Sequence, residues 1–273
     1  MHNKNLIHIS DLAESIAEEN ILKNKVNLEK IAKKKKISLI YGNYNDCFLG
    51  ELLHCSNKFY IYLNLHLLKT KISPRTRFTL GHELGHYFID EHRNKLKNGE
   101  SLSYTSDYSY VSNIQVEKEA NHFSSHLLMP KKRFITIADK LEPGIPSILS
   151  LKDAFDTSIE GTSIHYINLD LLPCMFIKWK PDLTYHYASY TQSFAKLTGV
   201  KGKPGLKVHA DYIKELFHLL ETEKPKPDYV ECATKLSTWL PNILPDSRAD
   251  LMGLEQTVKL GAFGGITFLC FPQ

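Results

Sequence analysis

His82-Glu83-Leu84-Gly85-His86 constrains this chain more than any other five residues in it. The spacing is H-E-x-x-H. On a helix, positions i and i+4 share one face about one turn apart, so both imidazoles can meet at a single point. On a strand the same two side chains would stand ~13 Å apart, too far for one ligand. The motif therefore calls for a helix, and Pro74 marks its start. Glu83 points beside the shared face, where it can hold a metal-bound water and take its proton. Zinc suits two neutral imidazoles plus a carboxylate, with a fourth position for water. The chain has 13 histidines, so the motif needs a third ligand to carry weight.

Three residues compete for that position. His92 stands where a metzincin would place its last histidine. That solution needs a left-handed turn at the middle position, and Ile89, β-branched, is poorly suited to positive φ. His92 is accordingly assigned to the surface near the helix end. Glu117 and Glu119 lie about thirty residues downstream, in Glu117-Lys118-Glu119-Ala120-Asn121 on a second helix that Pro130 stops. The two acids point ~200° apart around that helix, so they cannot both face the metal. Glu117 is the better reading. Asn121, one turn later, can hydrogen-bond a metal-bound histidine and fix its tautomer, and Ala120 allows close helix approach.

The stretch from Arg75 through His86, followed by EKEANHFSSHLLMP (117–130), resembles the ImmA/IrrE family of zinc-dependent metallo-endopeptidases. Arg77, Phe78 and Thr79 match that family's approach to the helix, and Leu127 to Pro130 its exit. The likeness covers roughly residues 10 to 170. It implies His82, His86 and Glu117 as zinc ligands and Glu83 as catalytic base. It also implies a compact gluzincin-like fold in which Tyr60–Asn64 is the strand that lines the cleft and pairs with an extended peptide. The implied substrate is a helix–turn–helix repressor cleaved in stress response or in mobile-element and phage control. Ser124 and Ser125 depart from the family's alanines. His122 is read as surface and His126 as packing. Tyr104, Tyr108 and Tyr110, in a polar loop or lid over 93–113, are the candidate oxyanion donors.

The remaining chain supports an α+β class. Helices are expected near Ser10–Asn20 and Asn27–Lys36, with Ser10 and Asn27 as N-caps. Strands follow on either side of a Ser56-Asn57 turn. The expected organisation is a zincin-like domain over 1–133, a helical helix–turn–helix-like segment over 134–172, and a small α/β sensor-like module over 173–273. In the last, CMFIKW and TYHYASY form a hairpin and GGITFLCF a buried strand. Trp179 and Trp239 are read as core aromatics.

A net charge of +4 is too mild to argue for direct nucleic-acid binding, and Lys33–Lys36 reads as a solvated helix end. The opening residues lack a signal-peptide core, and no apolar run is long enough to span a bilayer. Five cysteines without a C-x-x-C pair are expected to be reduced, mostly buried thiols in a cytoplasmic protein. The competing function is a non-catalytic regulator with a structural zinc site, against which an intact Glu83 argues.

Overall fold

The computed structural model describes residues 2–100, 103–106, 115–204, 206, 210–222, 229–240 and 250–271. The fold is mixed α+β, and the chain divides into two units. One comprises Met1–Phe134 with Lys152–Ser158, the other Ile135–Leu151 with Ile159–Gln273.

The first unit opens with α1 (His2–Glu18), which starts well before the expected cap at Ser10. Ser10 sits mid-helix because its hydroxyl donates to the Leu6 carbonyl one turn back, at 2.8 Å. A tight hairpin follows, β1 (Ile21–Leu22) and β2 (Lys25–Val26), turned by Lys23 and Asn24 at positive φ. Asn27 caps α2 (Leu28–Lys34) by accepting from the Lys30 amide at 2.8 Å, and Lys33–Lys36 are exposed. Next come β3 (Ser38–Gly42), β4 (Gly50–Cys55) and β5 (Lys58–Asn64). Ser56 and Asn57, at φ 50° and 60°, make the β4–β5 turn in the left-handed geometry two-residue hairpins favour. Asn64 then caps the short α3 (Leu65–Leu68).

The motif helix is α4 (Pro74–Phe88). Ser73 accepts from the Thr76 amide and Pro74 occupies the first turn, an arrangement worth about 1 kcal/mol to the helix start. It stops at Ile89, which is extended (φ −73°, ψ 112°). The chain then turns into α5 (Asp90–Lys97) and β6 (Ser103–Ser106), so part of the expected loop is regular. α6 (Gln115–Leu128) and α7 (Lys131–Ala138) flank Pro130.

The four-stranded sheet has the order β3-β5-β4-β6, with β3 parallel to β5 and the other pairs antiparallel. The expectation that Tyr60–Asn64 pairs with substrate is therefore corrected. β5 is internal, and its backbone groups already bond β3 on one side and β4 on the other. Among the described residues the sheet edges are β3 and β6.

The second unit carries most of α8 (Ile145–Phe155) and all of α9 (Ile159–Leu169), where the helix–turn–helix rhythm placed helices. There follow β7 (Cys174–Trp179), β8 (Tyr185–Tyr190), α10 (Gln192–Thr198), α11 (Ala210–Thr222), β9 (Val230–Lys235), α12 (Leu236–Trp239), β10 (Met252–Lys259) and β11 (Gly265–Cys270). The strands form one antiparallel sheet, β8-β7-β11-β10-β9. Met175, Ile177, Trp179 and Leu269 pack on one face with Phe194, Phe217 and Trp239. On the other, Phe268 meets Tyr166 and Phe176. β7 and β11 are accordingly buried along their whole length, as a strand covered on both faces must be. All five cysteines are free, but Cys47, Cys55 and Cys232 are exposed rather than buried. Cys55 ends up outside because it borders the β4–β5 turn.

Small residues bring α4 and α6 together. A Cβ at Gly85 would lie 3.2 Å from the Ala120 backbone, and one at Gly81 would lie 2.5 Å from Ser124 Oγ. Ser124 in turn donates to the Phe78 carbonyl at 2.9 Å. Gly81→Ala should destabilise the protein by about 1–3 kcal/mol through overpacking. Adding Ser124→Ala should return most of that loss in denaturant unfolding, since the obstructing hydroxyl is gone.

Candidate metal centre

The close contact of α4 with α6 sets the geometry of the buried polar groups between them. His82 and His86 are on one face of α4, 3% and 0% exposed, with their Nε2 atoms 3.0 Å apart. Glu117, in the first turn of α6, places Oε2 3.0 Å from His82 Nε2 and Oε1 3.4 Å from His86 Nε2. In a tetrahedral site with bonds of ~2.0–2.1 Å, ligand atoms stand ~3.3–3.4 Å from one another. The three measured separations are close to that. These residues form a group that can hold a metal ion.

The rear hydrogen bonds explain why the front atoms are acceptors. Asn121 Oδ1 lies 2.8 Å from His82 Nδ1, which makes that nitrogen the N–H donor of a neutral ring. Nε2 then carries the lone pair toward Glu117 and His86. Two lone pairs and a carboxylate facing one another at about 3 Å repel unless a cation sits among them.

Without a cation, a proton can take its place on one of the two rings. Burial opposes charging His82, but the Glu117 hydrogen bond and the nearby Glu83 and Glu117 charges outweigh it, and its pKa is raised. At His86 burial wins and the pKa falls to about 3. Burial would raise Glu117, yet the two histidines facing it hold it well below the usual carboxylate range. The cluster favours one positive charge and resists a second.

Glu83 is fully buried beneath β4. A Cβ at Gly50 would fall 2.8 Å from Glu83 Oε1 and 2.6 Å from Thr79 Cγ2, so only glycine lets the strand cross there. Gly50 escaped the sequence reading, although an isolated glycine inside a strand pattern signals such an approach.

His92 is the clearest correction. It is 1% exposed, not a surface residue. Ile89 does avoid positive φ, and its extended conformation turns α5 back so that His92 meets the rear of His86, Nδ1 to Nδ1 at 3.2 Å. Glu119 points away from the three-residue cluster, as its place on the helix requires, and lies 3.0 Å from His92 Nε2.

The two histidines further along α6 engage α1. His122, assigned to the surface, instead contacts Ser10 Oγ at 2.8 Å and the Leu6 carbonyl at 3.1 Å. His126 pairs with Glu14 at 2.7 Å. Of the three tyrosines, Tyr104 stacks on His86 with ring centroids 4.3 Å apart and planes within 5°. Tyr108 and Tyr110 lie outside the described residues.

Comparison with known proteins finds one family model over part of the chain. Residues 54–160 match a peptidase family model described as the IrrE N-terminal-like domain, and this stretch contains every member of the cluster. The search of curated proteins finds no match. Among solved structures, a Mycobacterium tuberculosis transcriptional regulator is similar in fold. The TM-score is 0.59 at 14% identity, over 97% of this chain and 76% of that one. No helix among the described residues is long and apolar enough to cross a membrane.

A centre built to receive a cation should be stabilised by one. Zinc added to chelator-stripped protein should raise the melting temperature, by about 2.7 kcal/mol of stability at a hundredfold excess over Kd. Glu117→Ala should abolish the shift, and thermal denaturation with and without zinc checks both.

Proposed function

We propose that the chain is a zinc-dependent metallo-endopeptidase, with His82, His86 and Glu117 as ligands, Asn121 orienting His82, and Glu83 as general base. The observation that carries this is the convergence of three acceptors at tetrahedral spacing directly beside a buried glutamate on the same helix. A site that merely stapled two helices would need the three ligands but not Glu83. Its carboxylate is costly to bury, and the matched peptidase family model supports a catalytic use.

Zinc, when bound, supplies Lewis acidity toward a water molecule and the scissile carbonyl. Glu83 accepts the proton of the attacking water and delivers it to the leaving amine nitrogen. Gly50 holds β4 over Glu83 and limits where that carboxylate can turn. Tyr104 is the one of the three candidate phenols among the described residues, and it stacks on His86. Its hydroxyl is buried with no hydrogen-bond partner among the described residues, so it is available to donate to a developing oxyanion.

The substrate class is a protein, and a helix–turn–helix repressor is the specific proposal. It rests on the family resemblance of the two motif helices, and it is in keeping with the similarly folded Mycobacterium tuberculosis protein being a transcriptional regulator. The proposed setting is cytoplasmic.

Glu83→Gln should retain stoichiometric zinc while cleavage of a co-expressed repressor from the neighbouring gene collapses. Persistent cleavage by that variant would falsify the assignment of the base. A stable complex with wild-type protein and no cleavage product would favour the regulator instead. Tyr104→Phe should lower kcat about 10²–10³-fold with zinc affinity unchanged, read by steady-state kinetics beside a chelator competition. An unchanged kcat would remove Tyr104 from the mechanism.

A further inference from the structure

Behind His86 runs a chain of hydrogen bonds that the proposed chemistry does not use. His86 Nδ1 contacts His92 Nδ1 at 3.2 Å, and His92 Nε2 contacts Glu119 Oε2 at 3.0 Å. Glu119 Oε1 accepts from Asn5 Nδ2 and from Gln115 Nε2, each at 2.7 Å. Four elements contribute: α4, α5, α6 and, through Asn5, α1. His86, His92 and Glu119 are all nearly inaccessible to solvent.

With Glu119 as a carboxylate, the donors and acceptors along this chain fall into one order. Asn5 and Gln115 present amide N–H groups, so Glu119 is met by donors on one oxygen and accepts from His92 on the other. With both of its oxygens accepting, Glu119 takes the N–H of His92 Nε2. A neutral His92 keeps a lone pair on Nδ1, which can only accept from His86 Nδ1–H. His86 is thereby left with its lone pair on Nε2, the atom 3.4 Å from Glu117 Oε1. The order of bonds carries the charge of Glu119 to the back of a metal ligand through one imidazole.

We propose that His92 and Glu119 are a positioning relay for the metal centre: they set the tautomer and ring orientation of His86 and increase its basicity as a ligand. The inference rests on the metal-centre reading above and adds to it two residues that touch neither metal nor substrate. It also explains an asymmetry. His82 is oriented by a single amide, Asn121, whereas His86 is oriented by a carboxylate acting at one remove. Supporting partners of this kind typically change metal affinity 10–100-fold when removed.

The test is a set of zinc affinities measured by chelator competition on folded, full-length protein. His92→Phe keeps an aromatic ring but loses both nitrogens, and it should weaken zinc 10–100-fold. His92→Gln offers an amide oxygen to His86 and an amide N–H to Glu119, preserving the order of acceptor and donor, and should recover most of the affinity. A merely structural His92 would give the two variants equal zinc affinity whatever their melting temperatures, and that result would overturn the relay.

Should His92→Phe not fold, histidine ¹⁵N spectra of metal-free wild-type protein at neutral pH decide the matter. His86 should be protonated on Nδ1 and His92 on Nε2. The opposite pair of tautomers would overturn the relay even if zinc binds normally. Failure of the wild type to bind zinc, with the expected tautomers present, would instead count against the metal-centre reading and would overturn the relay's stated purpose with it.

Discussion

Everything at the centre depends on how closely α4 and α6 approach. Gly85 against the Ala120 backbone and Gly81 against Ser124 remove the side chains that would hold two helices at ordinary spacing. At that distance a glutamate in the first turn of α6 reaches two histidines on α4 with both carboxylate oxygens. Asn121, one turn along α6, reaches the back of His82 from the same approach. Nothing else in the unit fixes so many polar contacts at once. α1 reinforces the arrangement from the other side of α6, through Asn5 on Glu119, Ser10 on His122 and Glu14 on His126.

Sequence reasoning was strong where chemistry is local. The H-E-x-x-H face, the cap at Asn27, the helix start at Pro74, the Ser56-Asn57 turn and the stop at Pro130 all follow from interactions between residues close in the chain. Glu117 could be set apart from Glu119 because helix geometry puts them on different faces. His92 shows where such reasoning stops. Ile89 has no positive φ, and His92 lies behind His86 rather than beside the front nitrogens. The further step, that an excluded histidine must be on the surface, failed because polarity does not reveal burial. Burial of His92 depends on Glu119, a residue far along the chain whose own burial depends on Asn5 and Gln115.

The same limit hid β10 in the second sheet. β10 carries Glu255, Gln256 and Thr257 in succession, all at most 1% exposed, and reads as polar. Each is satisfied by a distant partner. Glu255 accepts from Tyr212 at 2.9 Å and from Trp239 at 3.0 Å. Gln256 accepts from the Ile145 amide and donates to Glu231, and Thr257 meets Thr267 at 2.8 Å. A strand whose buried residues are hydrogen-bonded rather than apolar has no alternation for a hydropathy pattern to detect. β5 fails differently. Its identity as a strand was legible, but whether a strand is internal or at an edge is decided by β3 and β4 together.

Buried polar groups of the two units can be told apart by where their hydrogen bonds end. Around Glu255 the donors of Tyr212 and Trp239 point inward at the carboxylate, and burial raises its pKa toward the neutral form. That network is closed, and it contributes to the specificity of the sheet without offering coordination to anything else. Between α4 and α6 the donors are at the periphery and the acceptors converge inward. Asn121 and His92 hold the rear nitrogens, while two Nε2 atoms and a carboxylate face one another at 3.0–3.4 Å. Acceptors brought together in this way raise the energy of the empty arrangement and lower it when a cation enters. Folding therefore supplies the work of holding together a group that can take up an ion. Sites of this kind can be recognised by the direction of their hydrogen bonds as much as by the identity of their residues.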